Sequence, residues 1–243
     1  MNFDRAENLP PPHTELDAGQ PVRMVQMVEV AVFLFLIVPS MATSFLINDQ
    51  SDVGFKTGAV FSILNDLGLI SLVFYFIWRN GEPLHRIGLT LRNFPKEAGW
   101  GLVLFIPVIY ATNYLENVLH AAGLSAPTKL PSFLMAQGRA GLVLAVVLVI
   151  VVAIVEETIF RGYLIRRLNT ATRRPWVAVV LSSTIFSIGH GYEGMAGVIT
   201  IFCLGTILAV VYLWRKSLIA TMIIHFCIDF SSIVLAAWLN AGT

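Results

Sequence analysis

From Leu142 to Val155 every residue is apolar, and the run closes on two adjacent carboxylates, Glu156 and Glu157, with Arg161 shortly after them. A strand is usually only about 3–10 residues long, whereas crossing a bilayer takes about 20 apolar residues in a helix. The run therefore reads as a membrane helix. A charged side chain at the centre of such a helix costs about 2.5–3.5 kcal/mol on insertion scales, so two adjacent carboxylates imply a use. The rest of the chain agrees: 56% of its 243 residues are hydrophobic and only 13% are charged, too little polar surface to cover a soluble globule. The two cysteines, Cys203 and Cys227, lie in apolar runs and read as small buried residues.

Seven windows satisfy the spanning requirement: Val25–Ile47, Thr57–Trp78, Gly99–Ala121, Gly141–Leu164, Pro175–His190, Ala196–Trp214 and Ser217–Leu239. The fifth is short. The expected fold is all-α, a polytopic bundle of seven or eight membrane helices forming a single domain over residues 23–243. Residues 1–22 are polar and proline-bearing, and are expected to form a mobile tail. The segment between Arg79 and Gly99 has spaced glycines, prolines and basic residues, which suit an interfacial loop or a short amphipathic helix. Of the 16 Lys and Arg, only Lys56, Lys129 and Arg139 fall on one side of this topology. Cytoplasmic loops accumulate basic residues, so the amino terminus is expected in the cytoplasm, in the plasma membrane if the cell is bacterial.

Three of the windows carry ionisable side chains at helical spacing: Glu156, Glu157 and Arg161 in the fourth, His190 after Phe186 in the fifth, and His225 with Asp229 in the seventh. Residues four apart share a helix face, so Glu157 can pair with Arg161, Phe186 with His190 and His225 with Asp229. Adjacent Glu156 points about 100° away from Glu157 and is left to face a cavity. At about 1.5 Å per residue, Glu156 lies about 15 Å, His225 about 12 Å and His190 about 22 Å from the basic side. A shared pocket between helices 4, 5 and 7, open to the cytoplasm, is expected. A carboxylate beside an imidazole in such a pocket is a general acid and base pair for activating water, and a second histidine can stabilise the oxyanion. No serine or cysteine sits in a nucleophile motif. Asp66, beside Asn65, is a further polar break in the second window and reads as packing glue or a cavity wall.

At these residues the chain resembles the CPBP family of intramembrane peptidases. That family includes the type II CAAX prenyl endopeptidase and bacteriocin-processing and immunity (Abi-like) relatives. Three motifs carry the resemblance in order: EETIFRG at Glu156, Glu157 and Arg161, SSTIFSIGH at Phe186 and His190, and HFCID at His225 and Asp229. It covers about residues 142–233, and the IGLTLR segment resembles the family's approach loop. The resemblance implies that Glu156 and His190 activate water, that His225 and Asp229 stabilise the oxyanion, and that Glu157, Arg161 and Phe186 support them. One position departs from the prenyl endopeptidase branch, which has Asn where this chain has Asp229. An ionised Asp229 accepts hydrogen bonds and cannot donate one, so it would be protonated or would orient His225.

Catalysis without a cofactor is the preferred reading; a zinc-dependent version would use Glu156, His190 and His225 as ligands. The expected partners are the lipid bilayer and a membrane-associated peptide or protein substrate, with no nucleic acid. Two other functions compete with the endopeptidase: a catalytically silent immunity or scaffold protein of the same fold, and a proton-coupled transporter. The transporter is disfavoured, because no inverted repeat or pair of broken helices is visible.

Overall fold

The computed structural model describes residues 15–46, 54–125 and 134–241, and these contain helices and no strand. Three long helices come first: α1 (Glu15–Ser44), α2 (Phe55–Arg79) and α3 (Phe94–Ala121). The apolar run forms α4 (Gly138–Glu156), which passes without a break into a π-helical segment (Glu157–Leu164) and then α5 (Ile165–Thr172). After it come α6 (Pro175–Ile188), α7 (Gly194–Arg215), α8 (Ile219–Asp229), a second π-helical segment (Phe230–Leu235) and α9 (Ala236–Ala241). Proline opens α3 and α6 in the first turn, where no intrahelical N–H is needed.

Six stretches among the described residues are long and apolar enough to cross a membrane, and α6, at 14 residues, is shorter. The bundle is thus the polytopic all-α membrane fold expected from the windows, with its fifth member stopping before His190. Part of the expected tail, residues 1–14, lies outside the described residues. The boundary drawn at residue 22 falls inside α1, because a helix can extend past the apolar stretch that identifies it. The most apolar windows of α4–α5 and α7 are 44% and 50% buried, against 11% for α3. The helices α4–α5, α7 and the stretch from α8 to α9, the last 39% buried, therefore form the centre, and α1 to α3 are the less buried part of the bundle. Outward residues such as Phe35, Phe61, Val103 and Tyr110 are exposed; around a membrane bundle, such a face meets lipid.

The two ends of the bundle differ. At one end lie Arg79, Arg86, Arg173, Arg174, Arg215 and Lys216, and there the helices are tied together by buried ion pairs. Glu29 of α1 is 1% exposed and faces Arg79 (2.7 Å), Asn80 (2.7 Å), Tyr163 (3.2 Å) and Arg167 (3.2 Å). Arg167 continues to Glu82 at 2.6 Å, so one network joins α1, α2 and α5. Glu97 of α3 holds Arg215 of α7 through two bonds, at 2.7 and 3.0 Å. The 79–94 connection folds onto this end as a short 3-10 turn (Leu84–Ile87). The Ile87 carbonyl accepts from Tyr212 (3.1 Å) and the Gly88 carbonyl from the Leu218 amide (3.0 Å).

Candidate active site

The first π-helical segment begins at Glu157, where the apolar run gives way to the motif. Glu157 is fully buried and its Oε1 faces two partners, Arg161 Nη1 at 2.8 Å and His225 Nδ1 at 3.0 Å. Arg161 is itself 1% exposed and lies over the Phe186 ring, 4.3 Å from its centroid. Phe186 in turn touches Phe160 (5.1 Å), His190 (4.9 Å) and His225 (6.1 Å) between ring centroids. The phenyl ring is therefore a platform shared by the arginine and both histidines, a role the spacing hinted at only for His190. Gly162 follows Arg161 because the approach loop lies against it: a Cβ there would stand 3.0 Å from the Ile87 carbonyl.

Glu156 points elsewhere, as the helix geometry required. Its side chain is 21% exposed, its Oε2 lies 3.7 Å from His225 Nε2, and that oxygen makes no hydrogen bond to any described residue. Asp229 Oδ2 approaches the same nitrogen at 3.4 Å. His225 is thus held by Glu157 on one side of the ring and faces Glu156 and Asp229 on the other. The sequence offered Asp229 as the residue that orients His225; at Nδ1 that work falls to Glu157, from a different helix.

His190 sits beyond the end of α6, where its Nδ1 lies 3.0 Å from the Phe186 carbonyl. A carbonyl only accepts, so Nδ1 carries the proton and Nε2 is left as the free acceptor. The turn that carries His190 is pinned from α1. Ser44, 4% exposed, shares its hydroxyl proton between the carbonyls of Met41 (2.6 Å) and Ile188 (3.1 Å) and accepts from the Gly191 amide (3.2 Å). Any Cβ on Gly191 would come within 2.7 Å of Ser44 Oγ, so glycine is needed for this close approach. Nothing in the local sequence signals Ser44, because its partner is 147 residues away.

Glu156, His190, His225 and Asp229 all line one cavity of about 630 Å³, with Phe186 in its wall. Asp66 and Asn65 line it too, which settles Asp66 as a cavity wall. Glu116, Glu193 and Thr200, none of them in a motif, are further lining residues. From His225 the cavity lining rises along each helix, to Ser40 on α1, Phe61 on α2, Glu116 on α3 and the turn at Glu193, all toward the end away from the arginines. Among the described residues no three His, Cys, Asp or Glu side chains are arranged to hold one metal ion.

No curated protein and no solved structure matches the chain. Residues 138–231 match the family model described as type II CAAX prenyl endopeptidase Rce1-like, nearly the stretch over which the motifs carry the resemblance. That stretch holds both glutamates, both histidines and Asp229, so the similarity to this family falls on the motif residues.

Proposed function

We propose that the chain is an intramembrane endopeptidase that hydrolyses a peptide bond in a membrane-associated peptide or protein with water activated by Glu156 and His190. The observation that carries this reading is the convergence of Glu156, His190, His225 and Asp229, from three separate parts of the chain, on one cavity. Glu156 lines the cavity and has an oxygen with no hydrogen-bond partner among the described residues, and His190 has Nε2 as an acceptor. A water between them gives its proton to Glu156 as its oxygen adds to the carbonyl carbon. The oxyanion that forms takes a hydrogen bond from His225, whose ring has a carboxylate on each side. The C–N bond then breaks and Glu156 returns the proton to the departing amine. Glu157 and Arg161 hold His225 and Phe186 in register, and Asp229 orients His225 from the cavity side.

Every step above uses the chain's own groups; a zinc-dependent version would instead use Glu156, His190 and His225 as ligands. Two measurements test the reading with purified protein and a cleavable peptide. Glu156→Gln keeps the shape and removes the base, and is expected to lower kcat at least about 100-fold, the lower range for general-base catalysis. Full cleavage by that variant would overturn the assignment of Glu156 as the base, and no cleavage by the unmodified protein would favour the scaffold. A chelator is expected to leave cleavage unchanged; loss of cleavage restored by zinc would replace the water mechanism with a metal one.

A further inference from the structure

His225 brings one nitrogen, Nε2, to the side of its ring away from Glu157, and two carboxylates crowd it there: Asp229 Oδ2 at 3.4 Å and Glu156 Oε2 at 3.7 Å. In orienting His225, Asp229 is an acceptor and has no proton to give an oxyanion. Acyl-transfer transition states are held by sets of preorganised donors, so one N–H shared with two carboxylates leaves the developing charge short of a second donor. Two buried threonines line the cavity wall, Thr112 on α3 and Thr200 on α7, at 7% and 5% exposure. Thr112 returns its hydroxyl proton to the carbonyl one turn back on its own helix, as Thr158, Thr184 and Thr206 do. Thr200 does not: its Oγ1 is buried and has no hydrogen-bond partner among the described residues. Leaving such a hydroxyl unmatched costs about 1–3 kcal/mol. The other polar groups of the wall are less suited. The Tyr192 hydroxyl is bonded to Glu193, and Asn65 and Asn113 are exposed.

The packing of α6 on α7 sets the height of Thr200 in the bundle. The two helices are joined by the short turn at 189–193 and pack together antiparallel, with a Cβ on Gly205 falling 3.4 Å from Ser183 Cβ. Counting five residues back from Gly205 and five on from Ser183 brings Thr200 level with Ile188, beside the turn that carries His190. Leu204, one turn along α7 on the same face, lines the same cavity. Threonine occupies two χ1 rotamers in a helix, so a rotation about χ1 exchanges its methyl and hydroxyl within this wall.

We propose that Thr200 is a catalytic residue, its hydroxyl donating the second hydrogen bond to the oxyanion that forms on the scissile carbonyl. This rests on the endopeptidase reading. The bond strengthens as the carbonyl oxygen gains charge, and no proton leaves the threonine. A hydroxyl bonded to its own helix, such as that of Thr112, would first have to give up that bond. Thr200 has none to give up, so its donation to the transition state is not offset by a lost partner.

The test uses the purified full chain in nanodiscs and a quenched fluorescent prenylated CAAX peptide. Thr200→Val replaces the hydroxyl by a methyl of similar size, and with no bond lost the Tm should be equal or higher. Its kcat should fall about 100-fold, the lower range for loss of one oxyanion donor, with KM unchanged. Thr200→Ser keeps the hydroxyl and should keep most of the rate. A labelled phosphinate analogue of the peptide, which places a charged oxygen where the oxyanion forms, provides a readout without turnover. By fluorescence anisotropy it should bind Thr200→Val about 100-fold more weakly than the unmodified protein. Unchanged kcat or unchanged phosphinate affinity in Thr200→Val overturns the proposal, as does a rise in KM alone. A lowered Tm in Thr200→Val, or an equal loss of rate in Thr200→Ser, overturns it in favour of a packing role. Absence of cleavage by the unmodified protein is a different failure: it removes the endopeptidase reading, and this proposal with it.

Discussion

Glu157 and Glu156 are neighbours in sequence with opposite surroundings, and the contrast yields paired expectations. Glu157 has no exposure and balances Arg161, which is equally buried. Glu157→Gln leaves that guanidinium without a counter-charge, and breaking a buried pair from one side costs about 3–5 kcal/mol. A large fall in the Tm of the detergent-solubilised protein is expected. Glu156 is ionically supported only at 3.7 Å and opens on the cavity, so Glu156→Gln should leave the Tm nearly unchanged while abolishing cleavage. Equal Tm losses in the two variants would show that the carboxylates do not divide structural and chemical work as argued here. The pairing of Glu157 with Arg161 was legible from their spacing. The contact of Glu157 with His225 was not, because the two residues are 68 positions apart and no helical periodicity links them.

Two π-helical segments flank the site, one starting at Glu157 and one at Phe230, immediately after Asp229. Such segments are rare and concentrate at functional sites, because the altered hydrogen-bond ladder turns the following side chains out of the α-helical register. The buried carbonyl of Phe160 in the first segment receives a second bond from Ser182 of α6 at 2.8 Å. Gly162 in the same segment lets the 79–94 connection reach the bundle. Gly162→Val would push a branched side chain against the Ile87 carbonyl, and overpacking of this kind costs about 1–3 kcal/mol. The expected result is a lowered Tm and faster proteolysis of the 79–94 connection; a Tm equal to that of the unmodified protein would mean the loop moves aside freely. Hydropathy found the helices themselves because each must present about 20 apolar residues to lipid. It could not find the π-helical segments, since the same residues are apolar in either ladder.

Over the whole molecule, the arginine-rich end is a clamp. Glu29→Ala removes the carboxylate shared by Arg79, Arg167, Asn80 and Tyr163, leaving Arg167 with Glu82 as its remaining counter-charge. A loss of about 3 kcal/mol is expected, at the lower edge for breaking a buried pair because Arg79 is 41% exposed and can turn to solvent. The check is the denaturation midpoint in detergent, with cleavage retained at low temperature. The sequence by itself determined that this chain is a membrane bundle and which ionisable residues its spans contain, since lipid enforces apolar spans and makes every intramembrane charge conspicuous. Only the tertiary structure decided which carboxylate holds His225, how a serine on α1 fixes the turn bearing His190, and which residues share the cavity wall with them. Those depend on contacts between distant segments, and a local pattern records the side chains each helix offers without recording the partner it meets.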